Sequence, residues 1–457
     1  MRLRDLRDPS VGIWGFGREG RSTYRRLRAA FPDKPLTILN DAPLPDVVAG
    51  ELAADPVEIV TGPSAVAERL GDTARRLDVI VKSPGIGLYR PGVAAARALG
   101  TRITSATNIW FAENPEARTV AVTGTKGKST TASLAAHLLR HAGRTVALAG
   151  NIGTAVLDLP PDAGARDTIV VLELSSYQIA DLAHAPTVAV LLNLYPEHID
   201  WHLTTEAYYR DKLRLFRPGA DQLIILNKQD PTTRRLTADW PAPIRYFNDP
   251  AGLHVRDDGV YDGGRRLCAA DAVPLPGRHN RLNLCAALAA ARACGVEPDA
   301  CLPGLATFRS LPHRLQIVGE RDGVTYVDDS ISTTPESAMA AVAAFAGRPI
   351  TLLLGGYDRR QDYAELSRVL PRAGVVAVVT LPDNGPAVAA AVRAVGTTAP
   401  PVFEAADLAE AVAIARRWTP PGGVVLLSPA APSYGRFANF EERGRRFAEL
   451  AGFPVPT

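Results

Sequence analysis

The sequence predicts an α/β fold that is built on parallel sheets. Three observations support this: short apolar runs recur along the chain, a glycine-containing or polar turn follows each run, and helix-forming stretches separate them. Strands that alternate with helices in this way favour parallel sheets covered by helices. A chain of 457 residues is too long for one ordinary domain, so we expect several.

The first block of the chain has the pattern of a βαβ unit. The apolar run Val11-Gly-Ile-Trp14 is followed by the glycine-rich turn Gly15-Phe-Gly-Arg-Glu-Gly20 and by a predicted helix over 21–30. Further strands are predicted at 36–39 and 79–81. Strand, glycine-rich turn, helix and strand in this order are typical of a nucleotide-binding half.

The glycine spacing of this turn is weak evidence when taken alone. Gly15, Gly17 and Gly20 follow a strand, and Asp41 stands about twenty residues further on, as in dinucleotide-binding folds. Three interpretations stay open: binding of NAD(P), binding of another nucleotide, and a purely structural tight turn.

Two further blocks also alternate strands with helices. In the second, a strand at 119–122 precedes a glycine-rich turn at 124–130 and a helix at 131–141. The remaining strands that we predict lie at 169–172, 188–192 and 223–226 in the second block, and at 325–327, 350–354, 375–379 and 424–427 in the third.

The strongest single motif is Gly124-Thr-Lys-Gly-Lys-Ser-Thr130, which lies between a strand and a helix. Backbone N–H groups of such a turn converge on phosphate oxygens, and the helix N-terminus adds partial positive charge. Lys128 would neutralise phosphate charge and Ser129 could ligate Mg²⁺. The motif is imperfect, because Val122 stands where the full pattern has glycine. A glycine-rich turn with two solvated lysines is the alternative.

Possible metal ligands follow the neighbouring strands. Glu173 ends one predicted strand, and the segment Asn193-Leu-Tyr-Pro-Glu-His198 follows the next. The carboxyl ends of parallel strands meet in the usual ligand crevice of an open sheet, so a carboxylate and an imidazole there favour a metal site. Lys212 taken by itself is typical of a helix-surface cation.

Composition excludes other classes of protein. Lys and Arg total 51 against 48 Asp and Glu, a balance that does not suggest a nucleic-acid partner. The four cysteines form no C-x-x-C pair, so neither a zinc ribbon nor a redox pair is indicated. Residues 1–10 are charged, and no apolar run reaches the roughly 18–20 residues of a membrane span. We expect a cytoplasmic protein without a membrane partner.

Several motifs in one order resemble the Mur ligase family, and within it the glutamate-adding members. These motifs are Gly124 to Thr130, Gly150-Asn-Ile-Gly153, Glu173-Leu-Ser-Ser-Tyr-Gln178, Asn193 with Glu197-His198-Ile-Asp200, Lys212, Gly277-Arg-His-Asn-Arg-Leu-Asn283, His313-Arg314, Asp328-Asp-Ser330, Leu354-Gly-Gly356 and Leu427-Ser-Pro-Ala430. The resemblance covers essentially the whole chain.

The resemblance implies three domains. Residues 1–112 would form a Rossmann-like domain that binds a UDP-linked substrate, 113–311 a central ATP-binding domain with a P-loop-type parallel sheet, and 312–457 a Rossmann-like α/β domain for the amino acid. It favours UDP over NAD in the first domain. The substrate-binding residues it implies there and nearby are Gly15, Gly17, Gly20, Ser83, Gly85, Asn151 and either Asn40 or Asp41.

The resemblance also implies ATP and, most simply, two Mg²⁺ ions as cofactors. Lys128, Glu173, His198 and Lys212 would be the catalytic residues, with Lys212 carried as a carbamate. Residues implied to bind the metal are Ser129, Glu173, His198 and Lys212. Residues implied to contact ATP are Gly124, Thr125, Lys126, Gly127, Lys128, Ser129, Thr130, Asn280, Asn283, Arg314 and Asp329.

The sequence departs from the family pattern at the amino-acid site. Ile331 replaces a lysine, and Tyr357-Asp-Arg359 replaces Asp-Gly-Lys. These changes resemble the variant group that adds L-glutamate to UDP-N-acetylmuramoyl-L-alanine and whose product needs a separate epimerase. D-glutamate is the alternative, and an NAD-dependent oxidoreductase a more remote one. The implied glutamate-binding residues are Thr333, Arg359, Ser433 and Phe440.

Overall fold

Parallel sheets with helices packed on their faces dominate the computed structural model, which describes residues 1–218, 221–241, 243–309 and 311–454. The α/β class is therefore confirmed. The chain divides into two compact units. Unit 1 comprises Met1–Cys268 and Leu282–Leu305, and unit 2 comprises Ala269–Arg281 and Ala306–Thr457. The domain boundaries at 112/113 and 311/312 remain predictions.

The first sheet of unit 1 has five parallel strands in the order β3-β2-β1-β4-β5. Its central strands are rich in Val, Ile and Leu and are buried along their whole length, because helices cover both faces. The strands are β1 (Val11–Trp14), β2 (Leu36–Asn40), β3 (Val57–Thr61), β4 (Val79–Lys82) and β5 (Arg102–Thr104). The helices are α1 (Arg18–Ala30), α2 (Asp46–Leu52), α3 (Pro63–Gly71), α4 (Pro91–Ala98) and α5 (Ala106–Glu113).

The second sheet of unit 1 has six parallel strands in the order β11-β10-β9-β6-β8-β7. The strands are β6 (Arg118–Thr123), β7 (Thr145–Gly150), β8 (Thr168–Glu173), β9 (Val188–Leu191), β10 (Leu223–Asn227) and β11 (Ile244–Phe247). The helices are α6 (Lys128–His141), α7 (Ser176–Ile179), α8 (Ile199–His202), α9 (Thr205–Leu213) and α10 (Pro231–Leu236). One apolar core contains side chains of both sheets, among them Ile13, Val81 and Leu172.

A small three-stranded sheet, which the periodicity did not predict, follows the second sheet. Its strands are β12 (Leu253–Arg256), β13 (Gly259–Asp262) and β14 (Arg265–Ala269), and the first two pair antiparallel. The turns Asp257-Asp-Gly259 and Asp262-Gly-Gly264 are common hairpin signals, so the sequence did contain evidence for it. Two helices follow, α11 (Arg278–Ala293) and α12 (Pro298–Cys301).

The sheet of unit 2 is mixed, because its edge strand is antiparallel to the others. The Asp322-Gly323 turn joins β15 to β16 with positive φ angles of 53° and 72°, as a tight hairpin requires. The order is β15-β16-β20-β17-β18-β19. The strands are β15 (Gln316–Arg321), β16 (Val324–Asp328), β17 (Ile350–Leu354), β18 (Val375–Thr380), β19 (Val402–Glu404) and β20 (Val424–Leu427). The helices are α13 (Pro335–Ala343), α14 (Ala364–Val369), α15 (Gly385–Arg393), α16 (Leu408–Trp418) and α17 (Phe440–Ala451).

Two helices begin earlier than the sequence pattern predicts. Helix α1 starts at Arg18 and α6 at Lys128, each three positions before the predicted start at 21 or 131. Polar residues of a phosphate-loop motif lie in the first turn of the helix, where apolar periodicity gives no signal. No helix among the described residues combines the length and the apolar character that crossing a membrane requires.

Candidate active site

The predicted phosphate loop connects the buried strand β6 to helix α6. Gly127 is the N-cap of α6 and has a left-handed φ of +85°. A Cβ atom at this position would lie 2.4 Å from Asn283 Oδ1, so only glycine fits between the loop and the Asn283 side chain. Ser129 and Thr130 lie buried in the first turn of α6.

Both lysines of the loop are held by oxygen atoms. Lys128 Nζ donates to the carbonyl oxygens of Gly124 at 3.1 Å and Thr125 at 2.9 Å. Lys126 Nζ donates to Glu197 Oε1 at 2.6 Å. Burial raises the pKa of the Glu197 carboxyl, but the contact with Lys126 outweighs it, so the pKa lies below its usual value and the group is ionised at neutral pH. The loop thus presents ordered positive charge at a helix N-terminus, an arrangement that suits phosphate oxygens.

Two residues that the sequence analysis did not assign to the site fix the loop backbone. The Asn193 amide accepts from Lys126 N–H at 2.8 Å and donates to the Lys126 carbonyl at 3.1 Å. The Tyr208 hydroxyl lies 2.8 Å from Thr125 Oγ1. Asn193 begins the segment that the sequence analysis singled out after β9, although no role was assigned to it, whereas Tyr208 looks like an ordinary helix residue in the sequence.

Glu173 ends β8 beside the loop and is fully buried. Its Oε1 accepts from Asn151 Nδ2 at 2.9 Å, whereas its buried Oε2 has no hydrogen-bond partner among the described residues. An ionised carboxylate in this position requires compensation, so this oxygen is available to a cation.

Lys212, on α9, is not a helix-surface cation, because it is only 1% exposed. Its Nζ donates to the Gly124 carbonyl at 3.0 Å and lies 5.0 Å from the centre of the Tyr208 ring. Burial and the nearby Lys128 lower the pKa of Lys212 well below its usual value. The structure therefore favours the neutral amine at a position that contacts the phosphate loop.

His198 lies at the N-cap of α8 with a left-handed φ of +58°. Its Nε2 is 3.7 Å from Glu197 Oε2, and its ring centre is 4.9 Å from that of Tyr177. Burial lowers the pKa of His198 to about 4; Glu197 opposes this shift and Lys128 adds to it. The imidazole is therefore neutral near pH 7 and can act as a ligand.

A buried network that the sequence analysis missed lies beside Lys212. His202 Nδ1 is 2.8 Å from Asp211 Oδ2, and His202 Nε2 is 2.9 Å from Ser176 Oγ. Asp211 Oδ2 also accepts from the Tyr89 hydroxyl at 2.8 Å. Asp211 precedes Lys212 on α9, so these bonds fix the helix that carries the lysine.

A pocket of about 320 Å³ lies at the glycine-rich turn after β1. A Cβ atom on Gly20 would lie 2.0 Å from the Gly15 carbonyl oxygen, so the turn and α1 approach closely only with glycine at position 20. Asp41 instead forms an ion pair with Arg90 at 2.5 Å and is not among the described lining residues. The lining includes Gly15, Gly17, Arg18, Glu19, Asn40, Ser83 and Gly85.

Three of the residues that were predicted to contact ATP belong to unit 2. Asn280 lies in the segment 269–281, Arg314 precedes β15, and Asp329 follows β16. Asp329 is buried and accepts from Ser332 Oγ at 2.5 Å and Ser428 Oγ at 2.8 Å. Burial raises the pKa of Asp329 to about 6, although both hydroxyls oppose the shift. Arg314 Nε is buried without a hydrogen-bond partner among the described residues. Asn280 Nδ2 donates to the Pro276 carbonyl at 2.7 Å.

A second pocket, of about 260 Å³, lies at the carboxyl ends of β17 and β18 in unit 2. Ser433 lines it together with Gly356 and Tyr434, and the Arg359 guanidinium lies 5.9 Å from the Tyr434 ring centre. Of the other predicted glutamate-binding residues, Thr333 accepts from Gln361 Nε2 through its carbonyl, and the Phe440 carbonyl accepts from Ser330 Oγ. Neither is among the described lining residues.

Arg443, which the sequence analysis did not single out, also lines this pocket and is 1% exposed. Its Nε donates to Ser330 Oγ at 2.9 Å, and its Nη2 donates to the carbonyls of Ser330 and Ala431. The buried Nη1 has no hydrogen-bond partner among the described residues. Burial lowers the pKa of Arg443 to about 10, and the side chain still carries its charge at neutral pH.

The family comparisons cover most of the two units. Residues 122–291 match the description "Mur ligase middle domain", and residues 313–431 match "Mur ligase, glutamate ligase domain". A relative in Xanthomonas axonopodis pv. citri (strain 306) is 44% identical over 99% of this chain and 97% of its own length. This chain belongs to the Mur ligase family. The relative is named UDP-N-acetylmuramoyl-L-alanine–L-glutamate ligase.

Solved structures of other Mur ligases share the fold. UDP-N-acetylmuramate-alanine ligase MurC from Thermotoga maritima aligns with a TM-score of 0.60 at 17% identity, covering 96% of this chain and 98% of that protein. MurF ligase from Thermotoga maritima, solved in complex with ADP, aligns with a TM-score of 0.58 at 16% identity, covering 98% and 96%. These structures show that the fold is shared, and the two family matches and the 44% identical relative confirm the predicted resemblance to Mur ligases.

Proposed function

We propose that this chain is an ATP-dependent ligase that joins glutamate, with L-glutamate preferred, to UDP-N-acetylmuramoyl-L-alanine in peptidoglycan precursor synthesis. The observation that carries the proposal is the 44% identity over 99% of the chain to a relative named for that ligation. The substrate carboxylate attacks the γ-phosphate of ATP and releases ADP. The glutamate amine then attacks the acyl phosphate, an amide bond forms and phosphate leaves.

The phosphate loop would hold ATP for the first step. Such phosphoryl transfer depends on positioning and on neutralising charge, and the residues from Gly124 to Thr130 offer converging N–H groups, two lysines and a helix N-terminus. Lys128 already spans the loop through two carbonyl contacts, so its ammonium group could turn to the phosphate oxygens with little movement. Asn283, beneath Gly127, is proposed to border the nucleotide.

The residues beside the phosphate loop are suited to hold Mg²⁺. Among the described residues, no three His, Cys, Asp or Glu side chains are grouped to hold a metal, but the proposed set relies on other donors as well. The Ser129 hydroxyl, the unpartnered Glu173 Oε2, His198 and Lys212 would supply them. Bound Mg²⁺ would neutralise phosphate charge and orient the transferred group.

Lys212 suits the carbamate role because its amine is neutral and buried. The neutral amine attacks the carbon of CO₂, an N–C bond forms as one C=O π bond opens, and the nitrogen proton passes to water. The product is an anionic, carboxylate-like ligand, which Lys128 and bound Mg²⁺ would stabilise. The carbamate is part of the proposal.

The pocket at the glycine-rich turn would bind the UDP part of the substrate. Gly15, Gly17 and Ser83 would line the diphosphate site, with Gly20 allowing the close turn behind it. Between the two candidates for the uridine end, Asn40 is favoured, because it lines the pocket whereas Asp41 pairs with Arg90. Gly85 lines the same pocket, and Asn151 would meet the substrate near Glu173.

The pocket of unit 2 would hold glutamate. Arg443 offers a buried, charged N–H group and Ser433 lines the same space, so we add Arg443 to the proposed anchors Thr333, Arg359 and Phe440. The missing cation at Ile331 and the planar guanidinium of Arg359 would move the side-chain carboxylate. A change of about 1 Å in amine position can cost roughly 10²-fold in rate, enough to exchange the preferred enantiomer.

The remaining proposed contacts lie outside these pockets. Asn280, Arg314 and Asp329 of unit 2 are proposed to contact the adenosine end or the phosphates of ATP.

We also propose that the reaction takes place in the cytoplasm and that a separate epimerase acts on a product that contains L-glutamate.

The decisive experiment measures phosphate release by the full-length protein with UDP-N-acetylmuramoyl-L-alanine, ATP and Mg²⁺, and compares pure L- and D-glutamate. We expect higher kcat/KM for L-glutamate, on the order of 10²-fold. Reactions without the UDP-linked substrate provide the background. A clear preference for D-glutamate would overturn the stereochemical part, and no phosphate release with either enantiomer would overturn the ligase itself.

A further inference from the structure

Two consecutive residues of the glycine-rich turn contact loops of the second sheet. The Arg18 guanidinium donates to the carbonyl oxygens of Gly150 at 2.5 Å, Asn151 at 2.9 Å and Gly153 at 3.2 Å. Glu19 Oε1 accepts from Gln178 Nε2 at 2.6 Å. Both side chains belong to residues that line the pocket proposed for UDP.

The loops that they contact flank Glu173. Asn151 N–H donates to the Glu173 carbonyl at 2.8 Å, and Asn151 Nδ2 donates to Glu173 Oε1 at 2.9 Å. Gln178 bonds to Ser175, two residues beyond Glu173. The path from Arg18 to the Glu173 carboxylate therefore contains one intervening residue, Asn151.

The positive charge of Arg18 makes it the residue of this connection that is suited to bind a phosphate group. Of the described residues that line the pocket, it is the one basic side chain, and a nucleoside diphosphate brings several negative charges. A guanidinium has more N–H donors than its three carbonyl contacts use. Arg18 can therefore bind a phosphate oxygen and keep part of its contact with the turn at 150–153.

We propose that Arg18 is a positioning residue that couples the two nucleotide sites. A diphosphate bound at the glycine-rich turn would fix the guanidinium, which orders the turn at 150–153 and, through Asn151, orients the Glu173 carboxylate. This inference rests on the proposed function, which gives each site its nucleotide. Because linkage is reciprocal, UDP should raise the affinity for ATP by the same factor as ATP raises the affinity for UDP.

Calorimetry on the full-length protein tests the coupling. A non-hydrolysable ATP analogue with Mg²⁺ is titrated with and without saturating UDP, which lacks the reacting carboxylate. In the wild type we expect UDP to raise the analogue affinity by roughly 5-fold or more. In Arg18→Lys a point charge replaces the fork that reaches several carbonyls, so we expect a factor below about 2. Wild-type coupling in Arg18→Lys, or none in the wild type, would overturn the proposal.

Arg25 provides a matched control. It lies on the same helix and pairs with Asp158 at 2.6 Å, so it also connects the two parts of unit 1, but it does not reach the turn at 150–153. Arg25→Gln should keep the wild-type coupling. Equal loss of coupling in both variants would show that general contact between the two sheets is responsible, which contradicts the assignment to Arg18.

Hydrogen exchange provides a readout that does not depend on nucleotide affinity. Without any nucleotide, the backbone amides of Asn151 to Thr154 should exchange faster in Arg18→Lys than in the wild type, whereas Arg25→Gln should leave them unchanged. Unchanged exchange in Arg18→Lys would count against the proposal even if the variant no longer binds UDP. If UDP raises the affinity of the wild type for the ATP analogue but the wild type releases no phosphate, only the ligase function is overturned. If the wild type releases phosphate but UDP does not change its affinity for the analogue, only the role of Arg18 is overturned.

Discussion

The proposed phosphate-binding end of unit 1 and the proposed amino-acid pocket of unit 2 are built in different ways. In unit 1, Glu173 and Lys212 are fully buried, and hydrogen bonds fix the loop beside them on several sides. In unit 2, Arg359 is exposed, and Arg443 is the one buried charged residue among the described residues that line the pocket. Phosphoryl transfer requires fixed geometry, whereas recognition by exposed cations can change with one or two substitutions. If the two sites act as we propose, the departures from the family pattern lie at the site that tolerates substitution more easily.

The largest effect should come from Lys128. We expect Lys128→Ala to lower kcat on the order of 10³-fold or more, because the loop loses a cation that is proposed to neutralise the charge of the transferred phosphate. Phosphate release and the melting temperature should be measured together. Lys228→Ala serves as a control, since Lys228 follows β10 of the same sheet and pairs with Asp249, which follows β11. Near-normal turnover of a folded Lys128→Ala variant would refute the phosphate-loop function. It would also remove the main reason for treating the site of unit 1 as more rigid than the pocket of unit 2.

Lys212→Ala tests whether the buried amine is chemically active. We expect nearly complete loss of kcat and partial recovery with added short carboxylic acids, which can occupy the space of a carbamate. Arg214→Ala is the control, because Arg214 caps the end of the same helix, is exposed, and should leave turnover close to normal. If Lys212→Ala keeps most of its activity, the carbamate is excluded. If the activity is lost and added carboxylic acids do not restore it, the amine of Lys212 has a structural role.

A smaller and more selective effect is expected from Ser433→Ala in the pocket of unit 2. Loss of one hydrogen bond to a carboxylate should raise the KM for glutamate about tenfold. The KM for ATP and kcat should stay close to their wild-type values. If all three parameters change together, the pocket is not a separate glutamate site and the contrast between the two units is weaker than we propose.

Much of the fold could be predicted because local pattern and tertiary structure agree. The strands β1, β6, β8 and β17 are continuous apolar runs that end in glycine or a polar residue, which is the pattern of a buried parallel strand. The edge strand β15 and the small sheet β12–β14 were missed although their turn sequences were visible. Strands β14 and β15 are largely exposed, so their hydrophobic pattern is weak.

The candidate site was less predictable where burial determines the chemistry. Lys212 looks solvated in the sequence, and only packing beneath the phosphate loop removes it from water. Tyr208 and the pair His202–Asp211 contact the site through residues distant in sequence. Arg443 lies on a helix rich in charged residues, and nothing in that pattern distinguishes the buried arginine from its exposed neighbours.

The backbone conformation of His198 shows that the proposed site lowers folding stability locally. A residue with a side chain is disfavoured by roughly 1–2 kcal/mol in the left-handed backbone conformation that His198 adopts at φ +58°, whereas glycine is not. Glycine at this position would relieve the backbone strain but would remove the imidazole and its ring contacts with Tyr177 and Tyr208. The protein thus holds a strained turn that places a neutral ring beside Glu197, so thermal stability alone is a poor criterion for choosing improved variants of this enzyme.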